Sequence, residues 1–237
     1  MLEIRNLTKV YKGGKVAVDN LSLTVENGDI YGFIGHNGAG KSTTIKSVVG
    51  VLSFEKGEIY IDGKSVKEQS LECKKITAYI PDNPDLYEHL TGIQYLNFIG
   101  DIFGVEKVKR TELIRKYSEE FEIEKNLGDL ISSYSHGMKQ KLAIISALIH
   151  DPKLMVLDEP FVGLDPKAAR VLKDIMADLC ARGGAIFFST HVLEVAQKLC
   201  NKIAIIKQGK LIAEGTTQEI VGNGNLEDVF LELTEHE

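Results

Sequence analysis

Cysteine is scarce in this chain: Cys73, Cys180 and Cys200 are the only three among 237 residues. They lie far apart and show no C-x-x-C spacing, so neither a disulfide framework nor a zinc site is suggested, and a reducing, cytoplasmic setting is expected. Long apolar runs are missing too. No stretch approaches the ~20 residues needed to span a bilayer, and MLEIRNLTKV lacks the charged and apolar regions of a signal peptide. The polypeptide is therefore expected not to cross a membrane by itself. A basic excess is also lacking: 28 Lys and Arg against 34 Asp and Glu give a net charge of −6 and a pI near 5.6. That balance argues against a chain whose main partner is nucleic acid. There is no internal repeat, low-complexity run or long heptad pattern.

What is present is alternation. LEIRNL, VDNLSLTV and the apolar run IYGFIG read as strands, with Asn27-Gly28 as a turn, and GEIYIDGK adds a hairpin turning at Asp62-Gly63. From Thr91 to Ser133 the pattern becomes charged and helical, which predicts an inserted helical lobe. Strand and helix then alternate again: LMVLDE is a buried strand, Lys167 to Ala181 a helix, and GAIFFSTH a second buried strand. Helices between buried strands imply crossover connections and a largely parallel sheet covered on both faces. IAIIKQGKLIAEG closes with a hairpin, and NLEDVFLELTEHE reads as a final amphipathic helix.

Two motifs carry chemistry. Gly35, His36, Asn37, Gly38, Ala39, Gly40, Lys41, Ser42 and Thr43 spell GHNGAGKST, which satisfies G-x-x-x-x-G-K-[ST] between a predicted strand and a predicted helix. The glycines let backbone N–H groups turn toward phosphates, Lys41 can reach the β- and γ-phosphates, and Ser42 can ligate Mg²⁺. A dinucleotide fingerprint would need G-x-G-x-x-G, which the run does not contain. LMVLDEP then places Asp158 and Glu159 at the carboxyl end of a buried strand: Asp158 suits a Mg²⁺ carboxylate, and Glu159 could polarise an attacking water.

A third stretch, YSHGMKQK, masses small and basic residues at the start of the helical pattern LAIISALI. It reads either as an ordinary N-cap at Ser135 or as a helix N-terminus offered to an anion. With GHNGAGKST before it and LMVLDEP after it, the chain resembles the ATP-binding cassette (ABC) ATPase family along nearly its whole length. The resemblance implies an α/β fold: a RecA-like P-loop core with an N-terminal antiparallel β subdomain and an inserted α-helical subdomain. The expected partition of this single domain is 1–87 with 151–220 for the β subdomain and core, 88–150 for the helical subdomain, and 221–237 for a C-terminal helix.

The resemblance also implies residue roles. YSHGM occupies the place of the family's leucine-serine-glycine-glycine-glutamine signature, so Ser135 and the N–H of Gly137 are expected to bind the γ-phosphate held by a second subunit. His136 follows the presumptive cap and should have ordinary helical dihedrals, its ring beside that anion-binding end. Tyr11 falls where an aromatic stacks on adenine. Leu164 and Asp165, in GLDP, resemble the loop that couples two sites across a dimer, and His191 resembles the switch histidine that touches the γ-phosphate. Asp82, in YIPDNPDLY, stands where the family has the glutamine that contacts Mg²⁺ and the attacking water.

The activity implied is ATP hydrolysis with ATP and Mg²⁺ bound, coupled to transport by separate integral-membrane permease subunits. A second nucleotide-binding subunit, expected to be another copy, would complete a head-to-tail dimer, peripheral on the inner face of the cell membrane. GMKQK, GLDP and LEDVFLELT resemble bacterial export-type cassettes. The alternatives are a soluble ABC ATPase acting in cofactor assembly or regulation without transport, and a small-molecule kinase, which would carry a phosphoacceptor pocket in place of the signature and the switch histidine.

Overall fold

In the computed structural model, which describes residues 1–222 and 224–235, apolar alternation near the N-terminus builds a meander. β1 (Leu2–Val10) pairs antiparallel with β2 (Val16–Val25), burying Leu21, Leu23 and Val25 while Ser22 and Thr24 face outward. β3 (Ile30–Ile34) leads through the glycine loop into α1 (Lys41–Val48). β4 (Lys56–Ile61) returns to pair with β1, and β5 (Lys64–Ser65) folds back on it. Asp62 and Gly63 both have positive φ, 51° and 75°, which is the backbone a two-residue hairpin turn demands.

Next come α2 (Ser70–Ile76) and β6 (Thr77–Ile80), two elements absent from the sequence reading. The helical segment follows as α3 (Gly92–Ile102), α4 (Lys107–Glu120) and α5 (His136–Leu148), with an isolated β-bridge from Thr91 to Leu130. α3 starts on a capping box, in which the Thr91 hydroxyl accepts from Gln94 N–H and the Gln94 side chain accepts from Thr91 N–H. The chain then continues as β7 (Leu154–Asp158), α6 (Pro166–Ala181), β8 (Ala185–Thr190), α7 (Leu193–Leu199), β9 (Lys202–Lys207), β10 (Lys210–Thr216), α8 (Thr217–Val221) and α9 (Leu226–Glu235).

Two sheets result: an antiparallel one ordered β2-β1-β4-β5, and a six-stranded one ordered β10-β9-β3-β8-β7-β6. In the second, β3, β6, β7, β8 and β9 run parallel and β10 is antiparallel. Every residue of β7 and β8 is buried, and their alternation divides two cores. Leu154, Val156 and Phe187 pack with Ile45 and the β1–β4 sheet; Met155, Leu157, Ile186 and Phe188 pack with residues of α3 to α6. The fold is the expected α/β core with an antiparallel β subdomain and an inserted helical segment. The run NLEDVFLELTEHE, read as the final helix, begins as α9 at Leu226; α8 ends at Val221, and Gly222 turns the chain between them with φ 56°. Residues 223, 236 and 237 lie outside the described residues.

Candidate functional site

β3, β7 and β8 are adjacent and parallel, so their carboxyl ends bring the glycine loop, Asp158, Glu159 and His191 to one edge of the sheet. The loop's glycines are fixed by close approach. Gly40 has φ 114°, and a Cβ on it would lie 2.5 Å from the Ala17 carbonyl oxygen; one on Gly35 would lie 2.6 Å from that of Ile206. No side chain caps α1 at Gly40, so the first N–H groups of this helix have no side-chain acceptor.

Lys41 folds back over the loop and is almost fully buried. Its Nζ donates to the carbonyls of Gly35, at 2.6 Å, and His36, at 3.3 Å, and lies 3.9 Å from the Glu159 carboxylate. Burial pushes the Lys41 amine down, while Glu159 and Asp158 pull it back up. Glu159 has φ 50°, a left-handed conformation uncommon for a non-glycine residue. Its N–H donates to the carbonyl of Ser189 at 3.2 Å, and its carboxylate meets His191 Nδ1 at 2.9 Å. Ser189 Oγ donates to Asp158 at 2.5 Å. Ser189 was missed by sequence reasoning, although its position in AIFFST, just before His191, was the available signal.

A cavity of about 470 Å³ opens over these groups, lined by Tyr11, Asn37, Gly38, Gly40, Lys41, Ser42, Thr43, Asp82, Asp158 and Glu159. It gathers most of the anticipated residues, and Tyr11 reaches across it to hydrogen-bond Thr43 Oγ1 at 3.2 Å. Lys15, Val16, Ala17 and Gln208 complete the lining; they carry no motif, and only the fold brings them here. Ser42, Asp82 and Asp158 present oxygen alone, the donor type of a hard divalent cation. Among the described residues no cluster of three or more His, Cys, Asp or Glu is placed to hold a metal by itself. A cation here would need phosphate and water oxygens as well, the usual arrangement for Mg²⁺.

Ser135 and Gly137 are elsewhere. Ser135 is the N-cap of α5, its hydroxyl accepting from Met138 N–H at 3.3 Å, and it is exposed. Among the described residues, none of 135–137 lines the cavity. His136 occupies the first helical position, as anticipated, but its ring lies over Gly163 of the same chain.

Comparison with known proteins agrees with this geometry. The family model described as ABC transporter matches residues 18–162. The ABC-type transporter ATP-binding protein EcsA of Bacillus subtilis is 36% identical over 100% of this chain and 98% of its own length. The Nod factor export ATP-binding protein I of Cupriavidus metallidurans is 33% identical over 93% of this chain and 73% of its own. A solved ATP-binding subunit of an ABC transporter superposes with a TM-score of 0.94 at 33% identity, covering 99% of both chains. With a phosphate loop and a strand-end Asp-Glu pair lining one cavity, and His191 held against Glu159 at its edge, this chain belongs to the ABC transporter family as an ATP-binding subunit, and it is an ATPase.

Proposed function

We propose that this chain hydrolyses ATP as one half of a head-to-tail dimer of identical copies, driving export through separate membrane subunits. The observation that carries the dimer is that the N-terminus of α5, with Ser135 exposed and Gly137 half-buried, lies outside the cavity holding Lys41 and Glu159. Its N–H groups are therefore available to the nucleotide of another subunit.

In this reading the glycine loop and Lys41 hold the β- and γ-phosphates, and Tyr11 at the cavity wall stacks on adenine. Glu159 accepts a proton from the attacking water, while His191, hydrogen-bonded to Glu159, contacts the γ-phosphate. Ser42, Asp82 and Asp158 would hold Mg²⁺, which when bound neutralises phosphate charge. Catalysis is mostly positioning and charge stabilisation.

Export is supported by the likeness to the Nod factor export protein, together with GMKQK and GLDP. A membrane partner is supported by an apolar cavity of about 270 Å³ lined by Val48, Val51, Val66, Cys73, Tyr79 and Phe103. Ile102, beside Phe103, and Leu71, near the same wall, are large and exposed. No described helix is long and apolar enough to cross a membrane. In this reading the subunit sits on the inner face of the membrane, with 88–150 acting as the lobe that receives a cytoplasmic segment of the permease.

Sizing chromatography of Glu159→Gln with ATP tests the dimer: a stable ATP-dependent dimer is expected. A variant that stays monomeric and hydrolyses ATP at the parent rate removes both the dimer and the role of Glu159. For the membrane partner, cross-linking from single cysteines near Tyr87 in native membranes should capture a multi-span protein; cross-links confined to the carboxyl-terminal surface would exclude this geometry.

A further inference from the structure

The start of α5 is fastened in two places to the segment that follows Glu159. His136, standing where the family signature has glycine, lays its ring over Gly163: a Cβ there would lie 2.5 Å from His136 Cδ2 and 2.8 Å from Nε2, and Gly163 has φ 80°. Further along α5, the mostly buried Lys141 Nζ meets the Asp165 carboxylate at 2.6 Å. The other oxygen of Asp165 accepts from Ala168 N–H at 2.8 Å and caps α6. Lys141 is the chief cause of the Asp165 carboxyl lying below its ordinary value.

From Gly163 the chain returns to Glu159 through Val162, Phe161 and Pro160 alone, and this link has little slack. Val162 N–H donates to the Glu159 carbonyl at 3.2 Å, the Phe161 ring packs edge-on against Phe188, and Glu159 itself is held in a left-handed conformation. A shift of Gly163 is therefore passed to Glu159 instead of being absorbed by a loose loop.

We propose that His136 is a positioning residue for Glu159: its ring, pressed on Gly163, makes the orientation of the water-polarising carboxylate depend on where the N-terminus of α5 sits. Glycine in place of His136 would leave that contact empty. Because the α5 N-terminus is the part assigned to the partner's nucleotide, occupancy of one ATP site then sets the geometry of the other within the same chain. The inference rests on the dimer reading of the previous subsection.

The test compares steady-state ATPase kinetics with dimerisation. His136→Ala is expected to lower kcat about fivefold and to abolish cooperativity in ATP, while the Glu159→Gln dimer retains its affinity with or without the added change. His136→Phe, which keeps a flat ring over Gly163, should restore both kcat and cooperativity. Gly163→Ala should cost more activity in the parent, with His136 intact, than in the His136→Ala background. Its left-handed strain is common to both backgrounds, so the difference isolates the ring.

Unchanged kcat and cooperativity in His136→Ala, with dimerisation intact, would overturn the relay and leave the dimer standing. Weakened dimerisation with unchanged kcat at saturating ATP would also overturn it, by making His136 a contact to the partner's phosphate. Failure of the parent Glu159→Gln protein to dimerise at all would instead remove the dimer reading, and the relay with it.

Discussion

Two helix N-termini of the chain carry candidate phosphate-binding motifs, and they are built differently. α1 begins at Gly40, left-handed and without a side-chain cap, and the lysine that opens it is buried against loop carbonyls. α5 begins at Ser135, which caps in the ordinary way, and its lysines are engaged elsewhere: Lys139 with Glu88 and Lys141 with Asp165. The first has the makings of a complete anion site inside one chain. The second has both of its lysines paired elsewhere, so in the proposed dimer it suits a phosphate whose charge another subunit already balances. Similar local physics thus gives a lined pocket in one case and, in the proposed dimer, a recognition edge in the other.

Breaking the first site should have the largest effect. Gly40→Ala would put a methyl group 2.5 Å from a backbone oxygen at φ 114°; nucleotide binding should be lost and the fold destabilised by about 3 kcal/mol, read by denaturant titration. Lys41→Ala should keep the fold and weaken ATP affinity by about two orders of magnitude, because it removes the charge-assisted contacts to phosphate; a fluorescent nucleotide titration measures this. Lys139→Ala, by contrast, should leave monomer affinity within about twofold of the parent, since an exposed ion pair contributes little. Equal losses in the two lysine variants would erase the distinction between the helix starts.

Smaller effects sharpen it. Ser135→Ala removes a real cap and should cost about 1 kcal/mol of stability, without altering ATP binding by the monomer. The Lys141 to Asp165 tie supplies a pH dependence. The Asp165 carboxyl lies below its ordinary value of 3.8, so its contribution is present above that value and is lost as acid carries the pH through the lower, folded one. Stability measured between pH 5 and pH 3 should fall slightly less steeply in Asp165→Asn than in the parent.

Much of this was legible beforehand, and the exceptions have physical reasons. IYGFI, LMVLD and AIFFST announced themselves because strands buried on both faces need continuous apolar residues, and Asp62-Gly63 because only a few residues accept two positive φ angles. α2 was not legible: in SLECKKI only Cys73 is buried, too little for a helical period. β6 has four residues, and its pairing with β7 cannot be read locally. The final helix was legible because LEDVFLELTE is amphipathic on its own and Gly222 interrupts what precedes it. At the candidate site the glycine loop and the Asp-Glu pair were read from spacing and strand context, Tyr11, Asp82 and His191 came from the family resemblance, and Ala17 and Gln208 were not found. Their contribution is backbone shape and position, supplied by tertiary contacts. The direction of the His136 ring also depended on a glycine far along the chain.

The walls of the phosphate loop carry a consequence for biosynthesis. β3 pairs with β8 and β9, Ile30 with Ile186 and Ile34 with Ile205, while Gly35 packs on Ile206 and Gly40 lies 3.5 Å, by its absent Cβ, from Gly209. GHNGAGKST is thus translated early and given its supports last. A nascent chain stalled before residue 186 carries the whole loop motif with neither flanking strand, and ribosome-bound intermediates of that length should be blind to ATP. Because these contacts are distant in sequence, the nucleotide is expected to stabilise the finished protein more than to guide its early folding on the ribosome.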